Sequence, residues 1–156
     1  MISIRQARPE DIPAISHMLE AMKALKKRSL PADIDFVRDQ YVSHRDKISC
    51  VLAFDEDTEI VGLQIFKRAS EGNAYEVPVG WGIIGTHVHP AAARKGVGTA
   101  LFEETKRAAI NAAIQKIDAT IGANNPEGLS YYDAIGFRTY DTSDTHIRKL
   151  FDTTVL

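Results

Sequence analysis

The sequence predicts a single mixed α/β domain built around one sheet. Its 156 residues are 44% hydrophobic and 26% charged, which is ordinary for a globular protein with a substantial core. Strand-like and helix-like segments follow one another in the order β-α-α-β-β-β-α-β-α-β-β. A short acidic turn at 55–58 joins the second and third strands and indicates antiparallel pairing. A long helix at 98–113 lies between two later strands and suits a crossover connection.

The first part of the chain carries a strand and two helices. Ile2-Ser3-Ile4-Arg5 alternates apolar and polar residues, as a half-buried strand does. A helix is predicted from Pro9, because acidic residues follow in its first turn and an apolar face then recurs at helical spacing. That apolar face comprises Ile12, Ile15, Leu19 and Met22. A second, shorter helix is predicted from the spacing of Ile34, Val37 and Tyr41.

The middle of the chain predicts three strands, at 50–54, 59–67 and 80–89. A longer polar connection at 69–79, containing Pro78, separates the second of these from the third. The helix at 98–113 follows, with a predicted buried face of Val97, Leu101, Ala108 and Ala112.

Near the C-terminus, strands are predicted at 116–121, 137–140 and 146–151. Between the first two of them, Asn125-Pro126-Glu127 has the composition of a helix start, and Gly136 ends that helix. No repeat, low-complexity segment or linker divides the chain, so we expect one domain spanning residues 1–156.

Composition argues against several classes of function. With 19 basic and 21 acidic residues the formal charge is −2, whereas a general nucleic-acid binder is usually more basic. No apolar run approaches the ~20 residues of a membrane span, and the N-terminus lacks the apolar core of a signal peptide. The five histidines are scattered, without cysteine partners at zinc spacing, so no metal is expected. The single cysteine, Cys50, is interpreted as a buried strand residue, and a cytoplasmic protein is expected.

A basic, glycine-rich turn precedes the long helix and runs Ala93-Arg94-Lys95-Gly96-Val97-Gly98-Thr99. N–H groups at a helix start have no intrahelical acceptor, and the helix dipole favours an anion there. Gly96 and Gly98 have no Cβ, so a ligand can approach the main chain closely. Arg94 and Lys95 add positive charge. The turn therefore predicts a site for a phosphate-bearing cofactor.

Two other phosphate motifs are rejected from their context. Residues 80–85 match the dinucleotide pattern G-x-G-x-x-G, but they lie within a strand-like run and not between a strand and a helix. Glycine inside a strand more often marks a bulge or a close backbone approach. A triphosphate-binding P-loop needs Gly-Lys followed by Ser or Thr, whereas Lys95 precedes Gly96 here.

Two segments of the sequence together resemble the GNAT superfamily, N-acetyltransferases that use acetyl-coenzyme A (acetyl-CoA). The family's phosphate motif, Gln/Arg-x-x-Gly-x-Gly/Ala, follows a strand that ends in Val-x-Pro. Here Val88-His89-Pro90 is followed by the turn at 93–98. A second family segment has Asn, a small residue three later, Tyr seven later and a final Gly-Phe. This chain has Asn125, Gly128, Tyr132 and Gly136-Phe137 at those spacings.

The resemblance covers nearly the whole chain, from Ile2 to Phe151, and implies the GNAT fold. That fold is a mostly antiparallel, twisted sheet of six to seven strands with about four helices and a V-shaped splay after the fourth strand. In the family a bulge opens this splay, and the pantetheine arm pairs there with main-chain groups like an added strand. Ile84–Val88 is the matching segment, with Thr86 and Val88 as expected contacts. The expected diphosphate contacts are Arg94, Lys95, Gly96, Val97, Gly98 and Thr99.

The sequence departs from the family pattern at two positions. Ala93 stands where the phosphate motif usually has Gln or Arg, so side-chain contacts from that position are lost. Gly82 stands where many relatives carry a glutamate, six residues before the valine of Val-x-Pro. That glutamate cannot serve as a general base in this chain.

The resemblance implies direct transfer of an acetyl group from acetyl-CoA to an amine in a ternary complex. Tyr132 falls on the family's general-acid position, where it would protonate the leaving thiolate; its neighbour Tyr131 is turned about 100° away on the helix. Asn125 is interpreted as a helix cap, a cofactor ligand or both. His87 is a candidate base because imidazole titrates near neutrality. His89, Glu76 and ordered water are alternatives.

Two hypotheses about function remain open from the sequence alone. The first is an active N-acetyltransferase acting on a small amine or on a protein or peptide amino group, with no nucleic acid and no membrane among its partners. The second is a GNAT-like module that holds the acyl carrier as a sensor or scaffold with little catalysis. Homodimers are common in the family, and no feature of the sequence decides the oligomeric state.

Overall fold

The protein, described here for residues 1–155 by a computed structural model, is organised around one seven-stranded sheet. The strands are β1 (Ser3–Gln6), β2 (Lys47–Phe54), β3 (Ile60–Arg68), β4 (Gly82–Val88), β5 (Lys116–Gly122), β6 (Arg138–Thr142) and β7 (His146–Asp152). Their spatial order is β1-β2-β3-β4-β5-β7-β6, and every neighbouring pair is antiparallel except β4 and β5. The predicted mixed α/β class and element order are confirmed.

Four α-helices flank the sheet. They are α1 (Ile12–Ala24), α2 (Ile34–Val37), α3 (Val97–Asn111) and α4 (Pro126–Ala134). A π-helical turn, Arg38–Val42, continues α2. Among residues 1–155, no helix combines the length and the apolar composition that crossing a membrane requires.

The helices divide between the two faces of the sheet, because side chains of successive strand residues point to opposite faces. On β3, Leu63 and Ile65 are buried against α1 and α2. Phe66 lies on the other face, in the core of α3 and α4. Cys50 on β2 belongs to the α1 side and is 1% exposed, and its burial raises the pKa of the thiol to about 12.

The sheet opens between β4 and β5, as the splay predicted after the fourth strand requires. These two strands pair only at Gly82 with Ile117 and at Ile83 with Asp118. The edge of Ile84–Val88 that faces β5 therefore has no strand partner. On its other edge β4 pairs with β3 in continuous register, from Gly62 opposite Val88 to Arg68 opposite Gly82. The bulge expected in this strand is thus absent from its pairing with β3.

Packing explains why position 82 is glycine. A Cβ atom there would lie 2.4 Å from Cε1 of Phe66, whose ring is fully buried. A glutamate at this position has no space and would point into the α3 core. Gly82 and Gly85 both lie inside β4, so the G-x-G-x-x-G pattern is part of a strand and not of a nucleotide loop.

Gly82→Ala is expected to destabilise the protein by about 1–3 kcal/mol, because a methyl group overpacks the Phe66 contact. Urea unfolding measures the effect. The Phe66→Leu variant supplies the control, since removing the ring makes room for the methyl group. The two substitutions together should cost less than the sum of their separate effects. Strict additivity would show that the contact with Phe66 does not determine the residue at position 82.

Candidate active site

The turn before α3 holds two residues in the left-handed conformation. Arg94 has φ +62° and Gly96 has φ +79°. Gly96 is the N-cap of α3, and Val97, which follows it, is 2% exposed and anchors the helix start in the core. A side-chain atom at position 96 would meet no heavy atom within 4 Å, so the space above the turn is open.

This turn presents an uninterrupted row of backbone donors. The first helical bond runs from Ala100 N–H to Gly96 O, at 3.0 Å. The six N–H groups of residues 94–99 donate to no acceptor within residues 1–155. A row of unpaired N–H groups at the positive end of a helix is suited to an anion with several oxygens. Arg94, Lys95 and Thr99 are exposed beside it. The turn therefore fits the diphosphate of a nucleotide-bearing carrier.

The open edge of β4 adds further donors and acceptors. His89 N–H donates to Val61 O at 2.9 Å, which directs the main chain of His89 towards β3. Main-chain groups of successive strand residues point to alternate edges. The N–H and C=O groups of Ile84, Thr86 and Val88 therefore face the gap beside β5. An extended ligand arm can pair with them as an added strand would.

Four polar side chains form a hydrogen-bond network beside this gap, on the α3 side of the sheet. The Tyr132 hydroxyl, carried by α4, lies 2.8 Å from the Thr86 hydroxyl on β4. Gln64, fully buried on β3, donates to the Thr86 hydroxyl at 2.9 Å and to the Tyr131 hydroxyl at 3.0 Å. Tyr131 in turn donates to Gly98 O at 2.7 Å. The network ties α4 to β4 and to the first turn of α3.

The two neighbouring tyrosines differ in where their hydroxyl protons are donated. Tyr131 has one hydroxyl proton, and Gly98 O accepts it. Thr86 receives a proton from Gln64 and can give its own to Tyr132, which leaves the Tyr132 proton free to point into the gap. Burial raises the pKa of Tyr131 to about 12 and that of Tyr132 further still, so both are fully protonated near neutral pH. With Thr86 as the donor to Tyr132, Tyr132 is the tyrosine that can offer its proton to a ligand.

Packing within the protein leaves no space for a side chain at position 98. A Cβ atom there would lie 2.4 Å from Cε1 of Tyr131. The sequence suggested only that a ligand needed the space above this glycine. The structure adds that α3 and α4 approach each other at this point, with the ring of Tyr131 between them.

Asn125 acts as the cap of α4. Its Oδ1 accepts from Gly128 N–H at 3.0 Å, and the side chain is exposed. Of the two roles left open by the sequence, the cap is observed. A role as cofactor ligand stays a prediction.

His87 lies on the opposite face of β4, one residue after Thr86. Its Nδ1 is 3.4 Å from Nη1 of Arg28, and its Nε2 is 3.4 Å from the Tyr41 hydroxyl. Burial and the Arg28 charge lower the pKa of His87 to about 3. The imidazole is therefore neutral near pH 7 and has little tendency to keep a proton. Its predicted role as a base stays untested, and these surroundings work against it.

The sequence did not reveal three residues of this region: Gln64, Arg28 and Tyr41. Gln64 carried a recognisable signal, since it interrupts the apolar run Leu63-Gln64-Ile65-Phe66 in a strand. Arg28 ends the basic run Lys26-Lys27-Arg28, and nothing in the sequence distinguishes it from the two lysines. Tyr41 is assigned from the sequence only to a helix face. Of the alternative bases, His89 caps the turn after β4 by accepting from Ala91 N–H, and Glu76 is exposed in the 69–81 connection.

Comparison with known proteins found a family model and solved structures that match this chain. A sequence model described as the acetyltransferase (GNAT) family matches residues 15–137. No curated protein sequence matches the chain significantly. Among solved structures, a GCN5-related N-acetyltransferase from Kribbella flavida superposes with a TM-score of 0.80 at 17% identity, covering 97% of each chain.

Two further solved structures are similar. The PaiA N-acetyltransferase from Thermoplasma acidophilum, in complex with coenzyme A, gives a TM-score of 0.72 at 18% identity over 97% of this chain and 99% of that one. The ribosomal-protein-S18-alanine N-acetyltransferase from Escherichia coli gives 0.73 at 15% identity over 98% and 94%. At these identities the likeness establishes the fold.

Proposed function

Because the chain belongs to the acetyltransferase (GNAT) family, we propose that it transfers an acetyl group from acetyl-CoA to the amine of a small molecule, a peptide or a protein. The observation that carries the proposal is the placing of the Tyr132 hydroxyl 2.8 Å from Thr86, on the open edge of β4. Acetyl-CoA supplies a thioester: the amine nitrogen bonds to the carbonyl carbon, the carbon–sulfur bond breaks, and the thiolate takes up a proton.

The main chain performs the binding. The six N–H groups of residues 94–99 would hold the diphosphate, and these contacts do not depend on the side chain at position 93. Ala93 therefore costs the site a side-chain contact but leaves its backbone donors in place. The edge groups of Ile84, Thr86 and Val88 would fix the pantetheine arm and direct the thioester towards α4. An N–H of this edge can also donate to the thioester oxygen as negative charge develops on it.

Tyr132 would supply the proton to the leaving sulfur. A thiol has an ordinary pKa of about 8.5 and a phenol one of about 10, and burial raises that of Tyr132 further. The tyrosine therefore stays protonated in the resting site, would donate to the sulfur as the carbon–sulfur bond breaks, and would then regain a proton from water. Its buried hydrogen bond with Thr86 fixes the ring, so that the proton points into the gap without reorganisation.

The acceptor amine must lose a proton before it attacks, and the low pKa of His87 predicts how the rate depends on pH. An alkylamine with a pKa of about 10 is mostly protonated below that pH, and its neutral fraction rises tenfold per pH unit. We therefore expect log kcat/KM to rise with pH with a slope near one between pH 6 and 9. No bend is expected near pH 6.5, because water and not a histidine takes the proton of the amine. A bend near pH 6.5 that is lost in His87→Gln would instead make His87 the base.

Two measurements test the proposed function. Calorimetry with acetyl-CoA and with coenzyme A measures binding, and a thiol-release assay with a panel of amines measures transfer. Saturable binding together with amine-dependent thiol release is the expected result. Binding without release for any small amine, peptide or protein acceptor would favour the sensor or scaffold hypothesis.

A further inference from the structure

The cluster around Arg28 lies on the α1 side of the sheet, on the face of β4 opposite Thr86. Arg28 follows α1, and its guanidinium is held by Pro31 O at 2.6 Å and by the Tyr41 hydroxyl at 2.9 Å, both through Nη2. The rings of Phe36 and Tyr41 lie 5.6 and 5.7 Å from its central carbon. These contacts fix the guanidinium against His87 and leave it only half-buried.

Within the described residues, 1–155, this guanidinium has no negative partner. Of the nine other arginines, four lie within 4.0 Å of a carboxylate: Arg5, Arg38, Arg45 and Arg107. Within residues 1–155 no carboxylate lies that close to Arg28. Its Nε–H is buried and has no acceptor there, and Nη1 has only the long contact with His87. A half-buried charge is normally paired, because it has lost part of its hydration.

The polar groups of the cluster are mostly donors. The Tyr41 hydroxyl already accepts from Arg28, so its own proton is available to another acceptor. His87 is neutral and, if Nδ1 accepts from Arg28, carries its proton on Nε2, towards Tyr41. A positive charge beside further O–H and N–H donors is the pattern that recognises an oxyanion.

The position of the cluster relates that oxyanion to the reaction. His87 and Thr86 are consecutive, with Cα atoms about 3.8 Å apart, and their side chains point to opposite faces of β4. Thr86 contacts Tyr132 on the side of the leaving sulfur, and His87 contacts Arg28 on the other side. A small molecule bound at Arg28 would therefore lie beside the strand edge that presents the thioester.

We propose that the acceptor is a small amine that also carries an oxyanion, of the amino acid type, and that Arg28 binds this oxyanion. The inference rests on the proposed acetyltransferase function and specifies its substrate class. Carboxylate, phosphonate and phosphinate groups share the chemistry that a guanidinium recognises, so the test includes more than one of them.

The experiment compares acceptors that differ in the anion alone. One arm contains L-amino acids, β-alanine and aminoalkylphosphonates, and the other contains the corresponding amides, together with spermidine as a cationic amine. The α-amine of such an amide has a pKa near 7.7–8.0, so a large fraction of it is neutral at pH 8. Slow acetylation of the amide would therefore not be caused by protonation of its amine. We expect kcat/KM for the preferred anionic acceptor to exceed that of its amide at least 100-fold.

Arg28→Gln should lower kcat/KM for the anionic acceptor about 100-fold and change that for the amide less than threefold. Arg28→Lys, which keeps the charge but loses the planar fork, should recover part of the loss. Arg38→Gln is the matched control, because Arg38 is exposed beside α2 and pairs with Asp35 and Asp39. It should change neither rate more than twofold. Thermal unfolding and acetyl-CoA affinity of each variant verify the fold.

The outcomes separate this inference from the function on which it rests. Failure to bind acetyl-CoA would overturn both. Acetyl-CoA binding with equal or better use of amides or spermidine would overturn the acceptor class alone, as would binding without acetylation of any anionic acceptor. An equal loss for both arms in Arg28→Gln would reduce Arg28 to a structural tie between Pro31 and Tyr41.

Discussion

Gly98→Asp is expected to weaken acetyl-CoA binding by at least 100-fold. The new Cβ would lie 2.4 Å from the ring of Tyr131, so the first turn of α3 or the tyrosine must move. The carboxylate would also stand among the N–H groups assigned to the diphosphate. Two like charges 4 Å apart repel by roughly 4 kcal/mol at an effective dielectric constant of 20. Calorimetric titration with acetyl-CoA measures the loss.

Three companion variants separate steric from electrostatic causes. Gly98→Ala introduces the clash alone and should weaken binding less than the aspartate does. Thr99→Asp introduces the charge alone at an exposed neighbour and should also weaken binding. Asn111→Asp places the same charge at the far end of α3, about 20 Å away at 1.5 Å per residue, and should leave affinity within twofold. Wild-type affinity in Gly98→Asp would contradict the assignment of the phosphate site.

Tyr132→Phe is expected to lower the rate of acetyl transfer about 100-fold while acetyl-CoA affinity changes little. The substitution removes the one hydroxyl proton that the network leaves available to the sulfur, and a positioned general acid contributes 10²–10⁴-fold. The buried ring keeps its packing against Phe137. A single-turnover measurement reports the chemical step without product release. Unaltered turnover would remove the acid role.

Tyr131→Phe is the matched control for that variant. It deletes a hydroxyl from the adjacent residue, but one whose proton already goes to Gly98 O. Removing the hydroxyl deprives the buried Gln64 amide of one of its two acceptors, which costs about 1–3 kcal/mol, so this variant should lose stability. Its transfer rate should fall by less than tenfold. A larger loss in Tyr131→Phe than in Tyr132→Phe would exchange the roles of the two tyrosines.

The arrangement of strands and helices could be predicted because local periodicity and turn chemistry agree with the fold along the chain. The boundaries differ where one residue overrides the pattern. A helix was predicted from Pro9, but Pro9–Asp11 forms a 3₁₀ turn and α1 begins at Ile12. Pro13 has no N–H to donate to the Pro9 carbonyl, so an α-helix cannot continue through both. The strand predicted from residue 80 begins at Gly82, because Gly80 has φ +92° in a turn.

The functional site was predictable in part. The turn before α3 is a local feature, so its position and its free N–H groups at residues 94–99 could be predicted from the sequence. The binding of a diphosphate there stays a prediction. The two tyrosines follow each other along the chain, and what distinguishes them is distant: Gln64 and Thr86 come from other strands. Likewise, whether a carboxylate lies near Arg28 depends on the tertiary structure, and within residues 1–155 none lies within 4.0 Å. Single-sequence patterns carry no such information.

The burial of Cys50 in the sheet allows the release of coenzyme A to be measured with a thiol reagent. Thiol reagents react with thiolates that solvent can reach, whereas this sulfur is 1% exposed and has a pKa of about 12. The folded chain therefore contributes almost no colour of its own when liberated coenzyme A is titrated with a chromogenic disulfide. Reaction of the Cys50 thiol with the reagent would show that a variant has unfolded. One assay therefore measures both turnover and folding.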